Sequence, residues 1–382
     1  GWTDTVIYAF LILTKETTDH PELLILKNGN QIEYSYKRYK EAITSKSTDK
    51  NSYDIFWSAI DEKIKNKKNI YISADGIYNL ININTLMKPI EGYLIDKQNF
   101  IYLTNSNDLL VKTSNNLENN HINGNSTSKE AVLVGFPKFF IENTNGKNIS
   151  DNLDTNPNIN FLSNYKINEL PGTKKEVETI NQILQNSKWK SQLLTEEKAS
   201  KNNIKLLNSP NILHIATHGY FIQNEIIDKS EIFGINSERF INNPLLRSGL
   251  LFSGAGNYIN YHQINKDMFG DGVLTAFEAM NLNLEKTDLV VLSSCETGVG
   301  EIQDGEGVYG LQRAFQVAGA KSIIMSLWKI NDQTTQELMT RFYTLYAFGM
   351  PIEEAFKQAQ LLIKQKYKHH YYWGGFVLIG KN

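Results

Sequence analysis

The 382 residues include a single cysteine, Cys295. That excludes an intrachain disulfide and any zinc site built on paired thiolates. It fits a reducing compartment, so a cytoplasmic location is the expectation. Long apolar runs are missing too. The run from Val6 to Leu13 has polar flanks and falls well short of the ~20 residues of a membrane-crossing helix. It reads as a central strand, and no membrane partner is expected. Neither sign of charge is in excess: 39 Lys+Arg against 41 Asp+Glu leave a net charge of −2. This gives no electrostatic case for direct nucleic-acid binding. No initiator methionine precedes Gly1-Trp2, which reads as the start of an excised fragment. Hydrophobic residues at 41% and charged residues at 21% do supply the material of folded cores, and the length suggests two domains.

Several signatures are also missing. Gly298, Gly300, Gly305, Gly307 and Gly310 invite a phosphate-loop reading, but Gln303 stands where GxGxxG needs its third glycine, and no Gly-Lys-Ser/Thr follows. Ser293 and Ser294 are not in a GxSxG elbow. His214 and His218 have HxxxH spacing, yet on a strand they lie roughly 13 Å apart and cannot share one ion. No metal or organic cofactor is expected. His214 reads as a hydrogen-bonded core histidine, and His369 and His370 as surface residues.

The informative stretch runs from Asp288 to Gly319. A continuous apolar run, Leu289 to Leu292, has the pattern of a parallel strand buried on both faces. It gives way to Ser293, Ser294 and Cys295, then to glycine-rich chain and a helix over Val308–Val317. In open α/β sheets the carboxyl edge of the strands is where chemistry collects. Two readings of Cys295 stand at this point: a nucleophilic thiol, or a small buried residue. The stretch NILHIATHGYF from Asn211 is a second short apolar strand, ending at His218-Gly219. A thiol nucleophile needs a base, and its acyl-transfer oxyanion needs donors. If the two strands are neighbours, His218 and Cys295 leave the sheet at one edge, and the amides of Gly219 and Cys295 aim at one point.

These residues carry a resemblance. HIATHGYF, NPLLRSGLLFSGAGN from Asn243, DGVLTAFEAMNL from Asp271, LVVLSSCETGVG, the long GEGVYGLQRAFQVAGAKSIIMSLWKIND from Gly305 and YYWGGFVLIG from Tyr371 resemble the CHAT domain family. Its members are caspase-like cysteine peptidases usually fused to tetratricopeptide repeats. The resemblance implies a caspase–haemoglobinase-like α/β fold, a mostly parallel sheet flanked by helices, with a His218–Cys295 dyad. It also implies that helical repeats precede this chain in the full protein, and that a partner protein or complex activates the enzyme in bacterial defence or programmed death. The Gln-Ala-Cys signature of caspases is absent here, so caspase specificity for aspartate is not carried over.

Residues 1–128 show an α/β pattern without a cysteine; the resemblance implies a pseudo-peptidase, pseudo-caspase-like half that packs on the active one. Strands are expected at Thr5–Thr14, Leu23–Lys27 (followed by a turn-like Asn28-Gly29) and Asn69–Ser73, with a helix over Ser52–Lys65. The polar, Asn/Ser/Thr-rich stretch from Asn105 to Lys129 marks the boundary. Residues 129–382 then alternate strands and helices, as a parallel sheet with helices on both faces requires. Relatives in the clan build the substrate pocket from the loop after the cysteine and from the next strand. That points to Asp304, Glu306, Ser326, Trp328 and Asp332. Acidic groups there would favour a basic substrate side chain; otherwise Glu306 and Asp332 simply cap helices. The expected function is a cysteine endopeptidase acting on protein substrates through a thioester. The alternative is a catalytically silent scaffold of the same fold.

Overall fold

A computed structural model describes residues 5–64, 67–104, 109, 129–141, 167–221, 231–232, 235–236, 243, 245–261, 271–293 and 306–380. In chain order the elements that matter are β1 (Tyr8–Ile12), β2 (Glu22–Leu26), α1 (Gly29–Thr44), α2 (Ser52–Phe56), α3 (Ser58–Lys63), β3 (Asn69–Ser73), β4 (Asn99–Leu103), β5 (Glu130–Pro137), α4 (Pro171–Asn186), β6 (Lys190–Glu196), α5 (Lys201–Lys205), β7 (Ile212–Ala216), β8 (Gly219–Phe221), β9 (Ser248–Leu251), β10 (Val273–Thr275), α6 (Ala276–Ala279), β11 (Leu289–Leu292), α7 (Glu306–Val317), β12 (Ser322–Ser326), α8 (Asp332–Ala347), α9 (Ile352–Lys366), α10 (His370–Trp373) and β13 (Phe376–Gly380).

Eight strands form one sheet in the order β3-β4-β13-β12-β11-β7-β5-β6. Every pair is parallel except β12–β13. The fold is therefore α/β with a mostly parallel sheet. Alternation within the central strands explains the two-sided core. Leu289 and Val291 of β11 pack with α4, α8 and α9 through Val177, Leu338 and Ala355. Val290 and Leu292 face the opposite layer with Leu311 and Phe315 of α7. A strand apolar at every position needs helices on both sides, and both layers are present.

The sheet crosses the sequence boundary at residue 128. β3 and β4 come from the first region, and β4 joins β13 through the single register pair Tyr102–Ile379. A buried amide reinforces that seam: Asn82 Nδ2 donates to Gly374 O at 2.6 Å, and on the β13 side Gln360 Nε2 steadies the same turn by donating to the carbonyls of Trp373 and Phe376, each at 3.0 Å. Gly374 and Gly375 allow this closeness. A Cβ on Gly375 would lie 1.9 Å from Ile330 Cδ1, and one on Gly374 2.2 Å from Thr85 Cγ2.

Three expectations are corrected in these elements. The run Val6–Leu13 is not a central strand: β1 pairs with β2 in a separate two-stranded antiparallel sheet. The helix expected over Ser52–Lys65 is two short ones, broken at Trp57 (φ −135°). His370 is not at the surface. It is 2% exposed, its Nδ1 lies 3.4 Å from the Tyr93 hydroxyl, and burial, aided by neighbouring His369 and opposed by Asp49, pushes its pKa down to about 4. This has a measurable consequence. An unfolded histidine titrates near 6.5, so His370 costs nothing above that pH. Below it the unfolded chain binds the proton first, and stability falls until the folded pKa is reached. A loss on the order of 2–3 kcal/mol between pH 7 and pH 4 is expected from this group. Urea titrations at the two pH values, for the chain and for His370→Gln, measure it: the variant should lose less on acidification.

Candidate active site

β7 and β11 are neighbours, parallel and in register: Ile212 pairs with Leu289, and Ile215 with Leu292. The Ser293 amide extends the ladder by donating to Ile215 O at 2.9 Å. His218 follows Ile215 by three residues, and Cys295 follows Leu292 by three. Cys295 itself lies outside the described residues, as does Asp304.

His218 is 2% exposed. Its Nε2 lies 2.8 Å from the carbonyl oxygen of Asn168. A carbonyl can only accept, so Nε2 carries the hydrogen, and Nδ1 is the nitrogen left for proton transfer. The ring also packs on Phe139, with centroids 5.1 Å apart. The loop that supplies the carbonyl is fixed locally. Thr173 Oγ1 donates to Leu170 O at 2.7 Å and accepts from the Phe136 amide at 2.9 Å, which ties the loop to the end of β5. Pro171 then opens α4 in the position where a missing N–H costs least.

Gly219 begins β8, which pairs antiparallel with β9, Gly219 opposite Leu250. The Leu251 amide donates to His218 O at 2.9 Å. Antiparallel pairs alternate between exchanging hydrogen bonds and turning both amides outward. Gly219 is the outward member, so its N–H faces away from β9.

His214 sits on the α4–α8 side. Its Nδ1 is 3.1 Å from the Tyr343 hydroxyl and its Nε2 3.0 Å from Glu176 Oε1. It is a core histidine with polar partners, as the spacing argument requires. Among the described residues, no three His, Cys, Asp or Glu side chains cluster as a metal site.

Of the residues read as substrate pocket, Ser326 ends β12 and is buried at 5% exposure. Trp328 is part of both cores, and its Nε1 donates to Tyr371 O at 3.2 Å. Glu306 is the first residue of α7, and its side chain lies outside the described residues. Asp332 opens α8, but the cap is Asn331, whose side chain accepts from the Gln333 amide at 3.0 Å. The Asp332 carboxylate lies instead over Gly172, on the rim of a recess that Glu176, Thr217 and Ser293 also line.

Sequence reasoning passed over Asn168, Phe139 and Glu176, and weighed Ser293 only as a serine nucleophile. Asn168 acts through its backbone, which no residue type signals. Glu176 did leave a trace, a charge on the apolar stripe Val177, Ile180 and Leu184 of α4.

The CHAT domain family model matches residues 50–381. This chain belongs to the CHAT domain family. The CHAT domain is also 30% identical over 112 residues to tetratricopeptide repeat protein 28 of Homo sapiens, and equally to that of Mus musculus. That match covers 29% of this chain and 4% of each relative. Among solved structures, the Arg-specific cysteine proteinase gingipain R superposes with a TM-score of 0.45 and 10% identity, over 92% of this chain and 73% of that chain. At such a score the likeness is too coarse to transfer residues or chemistry. Among the described residues, no helix of the CHAT domain is long and apolar enough to cross a membrane.

Proposed function

We propose that this CHAT domain is a cysteine endopeptidase with His218 as base and Cys295 as nucleophile. The observation that carries the reading is the parallel register of β7 and β11, with both residues three positions past one register pair. The held tautomer of His218 supports it. Nδ1 takes the thiol proton, and the Cys295 sulfur adds to the scissile carbonyl carbon. The outward Gly219 amide and that of Cys295 stabilise the oxyanion. On collapse the C–N bond breaks, and His218 returns its proton to the leaving amine. Water then cleaves the thioester, releasing the new carboxyl terminus and restoring the thiol. The chemistry needs no metal or organic cofactor.

The setting is part of the same proposal: helical repeats in the full protein, a protein substrate, and a partner that switches the enzyme on in bacterial defence or programmed death. The repeats find support in the tetratricopeptide relatives; the rest follows from the family resemblance.

The test is digestion of a diverse peptide pool, read by mass spectrometry, with the chain and with Cys295→Ala. New termini that need the cysteine are expected. Equal silence from both proteins, with and without the full-length context, would leave the silent scaffold as the better account.

A further inference from the structure

The His218 ring is clasped between two segments. On one side lies the Phe139 ring, with centroids 5.1 Å apart. On the other, the Asn168 carbonyl oxygen is 2.8 Å from Nε2. Neither segment belongs to the strand that leads to His218. Phe139 follows the end of β5 by two residues, and Asn168 precedes the start of α4 by three.

One side chain joins the two segments. Thr173 Oγ1 donates to Leu170 O at 2.7 Å and accepts from the Phe136 amide at 2.9 Å. A hydroxyl can do both at once. The Thr173 amide also donates to Leu170 O, at 3.0 Å. The approach is close because Gly135 has no side chain: a Cβ there would lie 3.0 Å from Thr173 O and 2.8 Å from Val177 Cγ1.

An independent observation falls on the same residues. The register of β5 with β6 shifts between Gly135 and Pro137. Phe136, the residue between, takes no register pair with β6 or β7. It holds φ +50°, the left-handed region that bulky side chains rarely adopt. A bulge leaves its extra residue unpaired and re-aims the chain beyond it. Here the Thr173 hydroxyl takes the amide of the bulged residue, and the re-aimed chain delivers Phe139 to His218. Backbone strain of this kind persists only where the surroundings hold it. Past the bulge the chain is pinned again, with the Gly254 amide donating to Lys138 O at 3.1 Å and the Gly256 amide to Phe139 O at 2.9 Å.

We propose that Thr173 is a positioning residue for the general base. Its hydroxyl holds both sides of the clasp, and so keeps the His218 ring in one orientation with its hydrogen on Nε2. The assignment rests on the peptidase reading and deepens it. A neutral imidazole carries its hydrogen on either nitrogen, and the hydrogen bond that the ring makes decides which. If the Asn168 carbonyl drifts, part of the population carries the hydrogen on Nδ1, and that part cannot take the thiol proton. The simpler account is that Thr173 only steadies the first turn of α4. It predicts lost stability without lost turnover per folded molecule.

The experiment compares the chain with Thr173→Val and Thr173→Ser. Valine keeps the shape and removes the hydroxyl; serine keeps the hydroxyl. Peptide cleavage is normalised to folded protein. In Thr173→Val, kcat should fall on the order of 10- to 100-fold with KM within about twofold, because a misplacement of about 1 Å can cost about 10²-fold. Thr173→Ser should stay within about threefold of the chain. The second readout needs no activity. Nitrogen NMR spectra of the histidine rings, recorded in the Cys295→Ala background with the rings neutral, show which nitrogen carries the hydrogen. The His218 signal is assigned by its loss in His218→Gln. It should report Nε2–H alone with Thr173 or serine in place, and a mixture in Thr173→Val. Should Thr173→Val fold poorly, Thr173→Ala removes the same hydroxyl with less bulk and is read in the same way. Full kcat and an unmixed Nε2–H tautomer without the hydroxyl overturn the assignment and leave the peptidase standing. So does a fall in kcat that Thr173→Ser shares equally, or one that leaves the tautomer unchanged. No cleavage by any of the proteins, with Cys295→Ala alike, overturns the peptidase reading and the assignment with it.

Discussion

His218→Gln should abolish peptide cleavage while leaving the fold nearly untouched. Removing a positioned general base costs typically 10²–10⁴-fold, and a dyad has no third ionisable group to soften the loss, so about 10³-fold or more in kcat/KM is expected. Glutamine is the informative replacement. Its side-chain amide reaches about where the histidine Nε2 lies and can donate to the Asn168 carbonyl, now held at 2.8 Å. The buried carbonyl keeps its partner, so the folding cost stays near that of lost contact with Phe139, on the order of 1 kcal/mol. The two readouts, kcat/KM and urea midpoint, should therefore separate widely. His214→Gln should behave in the opposite way. It disturbs a fully buried histidine between Tyr343 and Glu176, so its first effect is on stability. If His218→Gln kept full activity, the base would have to be found elsewhere, and His218 would be one more core histidine beside His214 and His370.

That contrast shows how far the sequence could be read. The apolar runs Leu289–Leu292 and Ile212–Ala216 appear as neighbouring strands, because a run apolar at every position has few other stable places. α9 lies at Ile352–Lys366, where Ile352, Ala355, Phe356, Ala359 and Ile363 recur at helical spacing on its buried face. α1, by contrast, was hidden. Its sequence GNQIEYSYKRYKEAIT is polar and begins at a glycine, and its buried face mixes Ile32, Tyr39 and Ile43 with Gly29 and Ser35. The register pair that joins the two regions, Tyr102 with Ile379, links residues far apart in the chain and has no local signature. The recess at the ends of β7 and β11 was half legible. Asp332 was readable from its place after β12, but Glu176 and Ser293 reach it from other elements, and only the sheet order brings the three together.

The largest effect on stability should come from Lys201, and it tests whether the floor behind β8 and β9 is held by charge. Lys201 Nζ lies 2.8 Å from Asp271 Oδ1 and 2.8 Å from Glu278 Oε1, with its side chain only 6% exposed. It ties α5 to the corner where β10 enters α6. That corner is already tightly specified, with a capping box between Thr275 and Glu278 and a turn at Gly272 (φ +68°) where a Cβ would lie 2.4 Å from the Ala255 nitrogen. Lys201→Met fills similar volume but removes the cation that Asp271 and Glu278 share, leaving Glu278 the more exposed Lys205. Breaking a buried pair from one side costs about 3–5 kcal/mol; with Asp271 and Glu278 about a third exposed, we expect about 2–3 kcal/mol. Lys205→Met removes a partner of the same Glu278 at 2.9 Å, but its side chain is 44% exposed, and about 0.5 kcal/mol or less should result. The pH dependence identifies the cause. Burial raises the Glu278 pKa, yet the hydrogen bonds and charges of Lys201 and Lys205 outweigh it and hold the group below its usual value. Its contribution is present above the unfolded carboxylate pKa and is lost as pH falls through the depressed one. The difference between the chain and Lys201→Met should therefore shrink as pH drops from 7 through 4. A difference that stays constant over that range would mean that Lys201 acts through its packed methylenes rather than its charge.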